Sequence, residues 1–229
     1  ETMASSDFAK SYQLYVHGDW DWTKDMIARV KSAGYKGFCI TVDTANYSRR
    51  ERPLLSGWNP RSRRDMGGYN WASAVTWDTV DKIKSEAGLP FMLKGIATAE
   101  DAAIAIEHGV NVIWISNHGG RQLDHGQGTM EMLPEIAEVV DGKAEIVLDG
   151  GVQRGSDVLK AISLGATAVA IGKMQGWALA AGGAAGVYRM LEILEEEMKV
   201  AMGLMGVTSV SQLNANYVCK ADLVTMPHE

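Results

Sequence analysis

The stretch Ile115-Ser116-Asn117-His118-Gly119-Gly120-Arg121-Gln122-Leu123-Asp124 sets an imidazole and a guanidinium on either side of a glycine pair. A base beside a fixed positive charge is suited to taking a proton from an anionic substrate. Glycines lack a Cβ, so the backbone between the two groups can approach a ligand closely. A core histidine hydrogen-bonded to backbone is the plainer alternative for His118. Its neighbours Arg121 and Asp124, and its place after the apolar run Val110 to Ile115, weigh toward chemistry. Asp43, after a second apolar run, is placed to orient His118 as a carboxylate orients an imidazole in other general-base pairs. His17, His108, His125 and His228 have no such surroundings. No His, Cys or Asp cluster has metal-ligand spacing, so no catalytic metal is expected.

Lys94 ends the apolar run Phe91-Met92-Leu93. A lysine there needs an anionic partner or a reacting group, which leaves open both Schiff-base chemistry and the neutralising of charge on a cofactor. A phosphate site is expected at Asp149-Gly150-Gly151-Val152-Gln153-Arg154-Gly155 and at Gly172-Lys173. Glycines expose backbone N–H groups, and Arg154 or Lys173 adds charge. Tight turns with incidental cations are the alternative. There is no Walker motif, and no Gly-x-Gly-x-x-Gly in a strand–helix setting, which disfavours ATP and NAD.

These residues need elements to hold them. Three segments repeat one pattern, a helix end, a glycine and an apolar strand: Gly34 before Gly37 to Asp43, Gly109 before Val112 to Ser116, and Gly165 before Ala168 to Gly172. Tyr12 to Val16, Phe91 to Lys94 and Ile146 to Asp149 read as three more strands. Strands apolar at successive positions are expected to be buried on both faces of a parallel sheet. Helical patterns fall between them at Thr23 to Ala33, Thr76 to Ala87, a segment opened by Thr98, one capped by Ser156, and a long acidic helix over Gly186 to Gly203. Alternating strand and helix predicts a doubly wound sheet or a (β/α)8 barrel. Polar groups at all six strand ends favour the barrel, whose loops share one mouth. Six strands cannot close it, so two more are expected upstream of Glu1, in keeping with an opening that lacks an initiator Met. Thr44 to Val75 reads as a long lid loop within the single domain of residues 1–229. It holds six of the ten arginines; Arg61, Arg63 and Arg64 read as a solvated basic surface, whereas Arg50 lies within reach of the mouth.

A net charge of −6 gives no sign of a nucleic-acid partner. Cys39 and Cys219, far apart, read as reduced thiols of a cytoplasmic protein. No apolar run approaches the ~20 residues that span a bilayer.

Taken in order, Tyr12-Gln13-Leu14-Tyr15, Thr41-Val42-Asp43-Thr44, Arg49-Arg50-Glu51-Arg52, Leu93-Lys94-Gly95, Ser116 to Asp124, Asp149-Gly150-Gly151 and Ile171-Gly172-Lys173 resemble the FMN-dependent α-hydroxy-acid dehydrogenase/oxidase family over nearly all 229 residues. That family includes glycolate oxidase, lactate oxidase and mandelate dehydrogenase. The resemblance implies a (β/α)8 TIM barrel that binds FMN and oxidises a small L-2-hydroxy acid to the 2-oxo acid. By position it implies His118 as catalytic base and Asp43 as the carboxylate that holds it. It makes Arg121 and Arg50 the substrate-carboxylate arginines and Tyr15 the tyrosine that orients the substrate hydroxyl. Lys94 falls beside flavin N1 and O2. Gln13, Thr41 and Ser116 line the flavin ring and ribityl chain, and Asp149, Gly150, Gly151, Arg154, Gly172 and Lys173 fall in the ribityl and phosphate loops.

The resemblance further implies a homotetramer, with oxygen, a quinone or a cytochrome as electron acceptor. Gln153 and Lys173 stand where many members carry arginine, and Arg154 is the candidate replacement. Two other functions fit the residues: a phosphate-binding barrel isomerase or aldolase acting through Lys94, and a non-catalytic barrel remnant. A bound-flavin spectrum separates the first reading from both.

Overall fold

Each apolar run becomes one strand of a single parallel sheet. The computed structural model describes residues 8–58 and 69–221; Arg61, Arg63, Arg64, His228 and Glu1 lie outside the described residues. The strands are β1 (Ser11–Leu14), β2 (Gly37–Thr41), β3 (Phe91–Ile96), β4 (Val112–Ile115), β5 (Glu145–Asp149) and β6 (Ala168–Ala170), hydrogen-bonded in chain order. All five neighbouring pairs are parallel. Sequential order with a helix after each strand is the barrel arrangement, and the six strands form that part of a (β/α)8 barrel.

Among the described residues the helical segments are α1 (Trp20–Ser32), α2 (Glu51–Ser56), α3 (Trp77–Ala87), α4 (Ala99–Glu107), α5 (Thr129–Val140), α6 (Gly155–Ser163) and α7 (Lys173–Met205). Side-chain caps fix several starts. Asp19 accepts from the Trp22 N–H, so α1 begins three residues before the expected Thr23. Thr76 and Thr98 cap α3 and α4 in the same way. Ser156 is not a cap: the Asp157 carboxylate accepts from the Gln153 and Arg154 N–H groups, and α6 begins at Gly155. The segment α7 is two helical stretches meeting at a kink, with non-helical φ/ψ at Gly182 and Gly183, and the acidic helix expected over Gly186 to Gly203 lies in the second stretch.

Helix α5 was not legible in the sequence. Gly128 precedes it and Pro134 lies inside it, both breakers of helical pattern, yet it buries Met132, Leu133, Ile136 and Val140. The lid, read as an unstructured loop, contains α2 and a 3₁₀ turn at Trp71–Ala74.

The ladder register sorts side chains onto two faces, because successive residues alternate. Leu14, Ile40, Leu93, Ile113 and Ile146 form one cross-strand row, and all are buried against the helices. Thr41, Lys94, Trp114 and Val147 form the adjacent row, on the opposite face. All of β2 is buried, and β3 is buried on both faces at Leu93 and Lys94; β4 and β5 alternate buried with partly exposed positions. The helix-covered face thus carries the core, and the other face carries the polar residues. Helix α6 packs on α7 so closely that a Cβ on Gly155 would collide with the Leu194 carbonyl.

Candidate active site

The row Thr41–Lys94–Trp114 places an ammonium in the middle of the polar face. Lys94 is 6% exposed, so its charge needs partners. Its Nζ donates to Ser116 Oγ at 2.8 Å and lies 3.5 Å from Asp149 Oδ2 and 4.0 Å from Asp43 Oδ2. Ser116 Oγ in turn donates to Asp149 Oδ1 at 2.8 Å, and Trp114 Nε1 donates to Asp149 Oδ2 at 3.1 Å. The ammonium also lies 5.7 Å from the centre of the Trp114 ring. One cation is therefore shared between two carboxylates from different strand ends.

Asp43 faces the imidazole as well. His118 Nδ1 lies 3.1 and 3.2 Å from the two Asp43 oxygens. A carboxylate accepts, so this contact calls for the proton on Nδ1 and leaves the ring's lone pair on Nε2. His118 has φ 58, in the left-handed region, and its N–H donates to Ser116 Oγ at 3.1 Å. A non-glycine residue held there is strained, a condition that clusters at functional sites.

Gly95 makes the approach of Asp43 possible. The ladder shifts between Lys94 and Ile96, leaving Gly95 in the irregularity at φ +108. A Cβ on Gly95 would lie 2.7 Å from both the Cβ and the backbone N of Asp43. Gly95→Ala is expected to lower stability by about 1–3 kcal/mol and to displace the carboxylate from His118. A melting curve beside the rate of flavin reduction checks both; an unchanged rate would show that Asp43 does not need the gap.

Tyr15 follows β1 with its ring 6.4 Å from that of His118. Burial first, then the Asp43 charge, pushes the phenol above its ordinary value, so it stays a hydrogen-bond donor well past neutrality. Gln13 Nε2 donates to Thr41 Oγ1 at 2.6 Å along the same mouth. Arg50 is fixed through Gln122: its Nη2 donates to Gln122 Oε1 at 3.2 Å, and Gln122 Nε2 donates to the Asp43 carbonyl at 2.7 Å. The Arg121 carbonyl accepts from Ser48 Oγ, and the Arg121 side chain is exposed without a hydrogen-bond partner among the described residues.

At the opposite end of the mouth, Cβ atoms on Gly151 and Gly172 would meet nothing within 4 Å. Gly150 is closed in by Thr129, whose hydroxyl donates to the Asp149 carbonyl at 2.6 Å. Lys173 Nζ donates to the Gly119 carbonyl at 3.1 Å, tying the start of α7 to the His118 loop. Arg154 does not join this group. Its Nη1 meets Glu197 Oε1 of α7 at 2.7 Å, while Glu197 Oε2 accepts from the Gly155 N–H at 2.7 Å. Two N–H groups of the glycine loop are likewise taken by Asp157. Among the described residues no group of His, Cys, Asp and Glu has the geometry to hold a metal ion, and no helix is long and apolar enough to cross a membrane.

The chain is similar to known proteins over most of its length. The sequence profile of the FMN-dependent dehydrogenases matches residues 1–220. The chain belongs to the FMN-dependent dehydrogenase family. Its relatives in that family include an L-lactate oxidase from Nostoc sp., 39% identical over 90% of this chain, and human 2-hydroxyacid oxidase 2, 38% identical over 94%. The chain spans 63% and 65% of those proteins' own lengths. Among solved structures, a mandelate oxidase with bound (S)-2-phenylpropionate superposes with TM-score 0.82 at 40% identity, covering 91% of this chain and 62% of that one. A lactate oxidase from Pediococcus acidilactici gives TM-score 0.86 at 35% identity, covering 92% and 61%.

Within the family frame, the structure brings together His118, Asp43, Tyr15, Lys94, Ser116 and Asp149. It links Gln13 with Thr41, brings Lys173 to the His118 loop, and ties Arg50 in through Gln122. Arg154 is drawn instead to α7. Gln122, Gly95 and Trp114 are the contributors that sequence reasoning gave no role. Gln122 stands in the most specific motif of the chain, so its place there was the available signal. Trp114 had none, since nothing along the sequence announces that its indole reaches Asp149.

Proposed function

We propose that this chain is the FMN-binding barrel domain, with its lid over residues 44–75, of an enzyme that oxidises 2-hydroxy acids to 2-oxo acids. The observation that carries the reading is the Asp43–His118 pair beside buried Lys94 at one strand-end mouth. The residues present suit the cofactor. An ammonium, an amide and a hydroxyl (Lys94, Gln13 and Thr41) offer the donors that the polar edge of a flavin ring requires. The open glycines Gly151 and Gly172, with Lys173 at the start of α7, suit a phosphate. Asp149 lies between the two regions through its bond to Ser116. Bound FMN supplies a two-electron acceptor.

The chain's own residues do the rest. Arg121 and Arg50 anchor the substrate carboxylate, where a guanidinium fork matches its two oxygens. Lys94 adds little attraction for that anion, because two carboxylates already face it. His118 Nε2 takes one of the two protons that oxidation of the alcohol releases, and Asp43 steadies the resulting imidazolium. The Tyr15 phenol donates to the substrate oxygen from the neighbouring strand end. The relatives named as oxidases favour dioxygen as the final acceptor.

The test is anaerobic. FMN-loaded protein mixed with a 2-hydroxy acid is expected to lose its yellow absorbance and release one 2-oxo acid per flavin. Admission of air then restores the colour and yields hydrogen peroxide. Protein that binds FMN but is bleached by no 2-hydroxy acid would contradict the reading. A borohydride-trapped adduct on Lys94 with no flavin bound would favour an aldolase.

A further inference from the structure

Three successive residues of the catalytic loop hold positive φ: His118 at 58, Gly119 at 69 and Gly120 at 71. The Gly120 N–H donates to the Asn117 carbonyl at 3.1 Å, so residues 117–120 form a β-turn whose two central residues are both at positive φ. That is the sign pattern of a type I′ turn, a setting for glycine, asparagine and aspartate because larger side chains crowd the backbone there. Glycine meets the requirement at 119. At 118 an imidazole bears the strain, and such a conformation persists only where its surroundings fix it.

Asn117 spends both ends of its amide on this loop. Its Oδ1 accepts from the Gly120 N–H at 3.0 Å, doubling the turn's own bond, and its Nδ2 donates to the Gln127 carbonyl at 3.1 Å. The first bond fixes the exit of the turn. The second draws the far end of the loop, just before α5, back to its start. Ser116 holds the entry through the His118 N–H, yet it also bonds Lys94 and Asp149. Lys173 reaches the Gly119 carbonyl from the glycine-lined end of the mouth. The hydrogen bonds of the Asn117 side chain go to the loop alone, and none reaches Lys94, Gln13, Thr41 or Arg50.

We infer that Asn117 is a positioning residue: it holds the left-handed turn that aims His118 at Asp43 and at the substrate. The inference rests on the proposed oxidation. Without the amide, His118 is free to relax toward the ordinary negative-φ region, which carries Nδ1 away from Asp43. Substrate anchoring depends less on this turn. Gln122, which fixes Arg50, is itself held by the Asp43 and Asn46 carbonyls, and the Arg121 carbonyl is held by Ser48.

The experiment compares FMN-loaded parent, Asn117→Ala and Asn117→Asp. Stopped-flow reduction is followed with glycolate, lactate and mandelate, and the corresponding 2-oxo acids are titrated by calorimetry. A crystal structure of Asn117→Ala gives the His118 backbone directly. Reduction of Asn117→Ala is expected to be roughly 10–100-fold slower, as for a reacting group misplaced by about 1 Å. Its affinities for FMN and for the 2-oxo acid should stay within about threefold of the parent, since the loss falls on the chemical step. Asn117→Asp keeps the acceptor for the Gly120 N–H and is expected to recover most of the rate. In the Asn117→Ala crystal, His118 should leave positive φ and lose its contact with Asp43. A parental rate for Asn117→Ala would overturn the inference, as would an Asn117→Asp protein no faster than Asn117→Ala. Loss of 2-oxo acid affinity in step with rate, or an Asn117→Ala protein that does not fold, would make the residue merely structural and overturn it too. A parent bleached by none of the acids would overturn the oxidation instead, and the φ of His118 in the variant crystal would still decide whether Asn117 holds the turn.

Discussion

Replacing His118 with alanine is expected to slow reduction of the flavin by a 2-hydroxy acid about 10³-fold, while FMN stays bound. The magnitude is that of a positioned general base. The reason is the division of labour on the ring: Nδ1 is committed to Asp43 at 3.1 Å, which leaves Nε2 as the basic atom at the mouth. Flavin binding should survive, because no polar contact of Lys94, Gln13 or Thr41 runs through the imidazole. Asp43→Asn is expected to fall in the same direction by a smaller factor, since an amide orients the ring but does not offset its positive charge. Stopped-flow reduction of each variant checks both. A His118→Ala protein reduced at the parental rate would remove the base from this position.

Lys94→Met is expected to cost roughly 3–5 kcal/mol of folding stability, lowering Tm by about 10 °C or more. Two carboxylates, Asp43 and Asp149, approach its ammonium, and all three side chains are at most 16% exposed. Removing the cation leaves two like charges desolvated and uncompensated, which costs more than the pair itself ever contributed. Lys94→Arg keeps the charge and is expected to lose less than half as much. Thermal unfolding of the two variants side by side makes the comparison. An unaltered Tm for Lys94→Met would mean that Asp43 and Asp149 do not rely on the ammonium.

The strand-and-helix rhythm was legible because three of the six apolar runs follow a glycine that ends a helix. Gly34, Gly109 and Gly165 all have positive φ, as such endings require. The pairing of His118 with Asp43 was legible for a related reason: both close a strand, and parallel strands deliver their ends to one rim. What stayed hidden arises from adjacency in space. Arg154 reads as a phosphate ligand because it stands in a glycine loop, yet Glu197, 43 residues later, claims it once α6 packs on α7. Gln122 looks like one polar residue among several, and its function appears only when the lid brings Arg50 alongside. Burial on both faces was expected from strands apolar at successive positions; in β4 and β5 buried positions alternate with partly exposed ones instead.

The most direct test of the central claim is a crystal structure of the FMN-loaded protein with a 2-oxo acid bound. The account predicts the acid's carboxylate on the Arg121 and Arg50 guanidiniums. It also predicts the 2-oxo oxygen within hydrogen-bond distance of His118 Nε2, and Lys94 Nζ in contact with the flavin. A flavin seated away from Lys94, or an acid bound where His118 Nε2 cannot reach it, would contradict it.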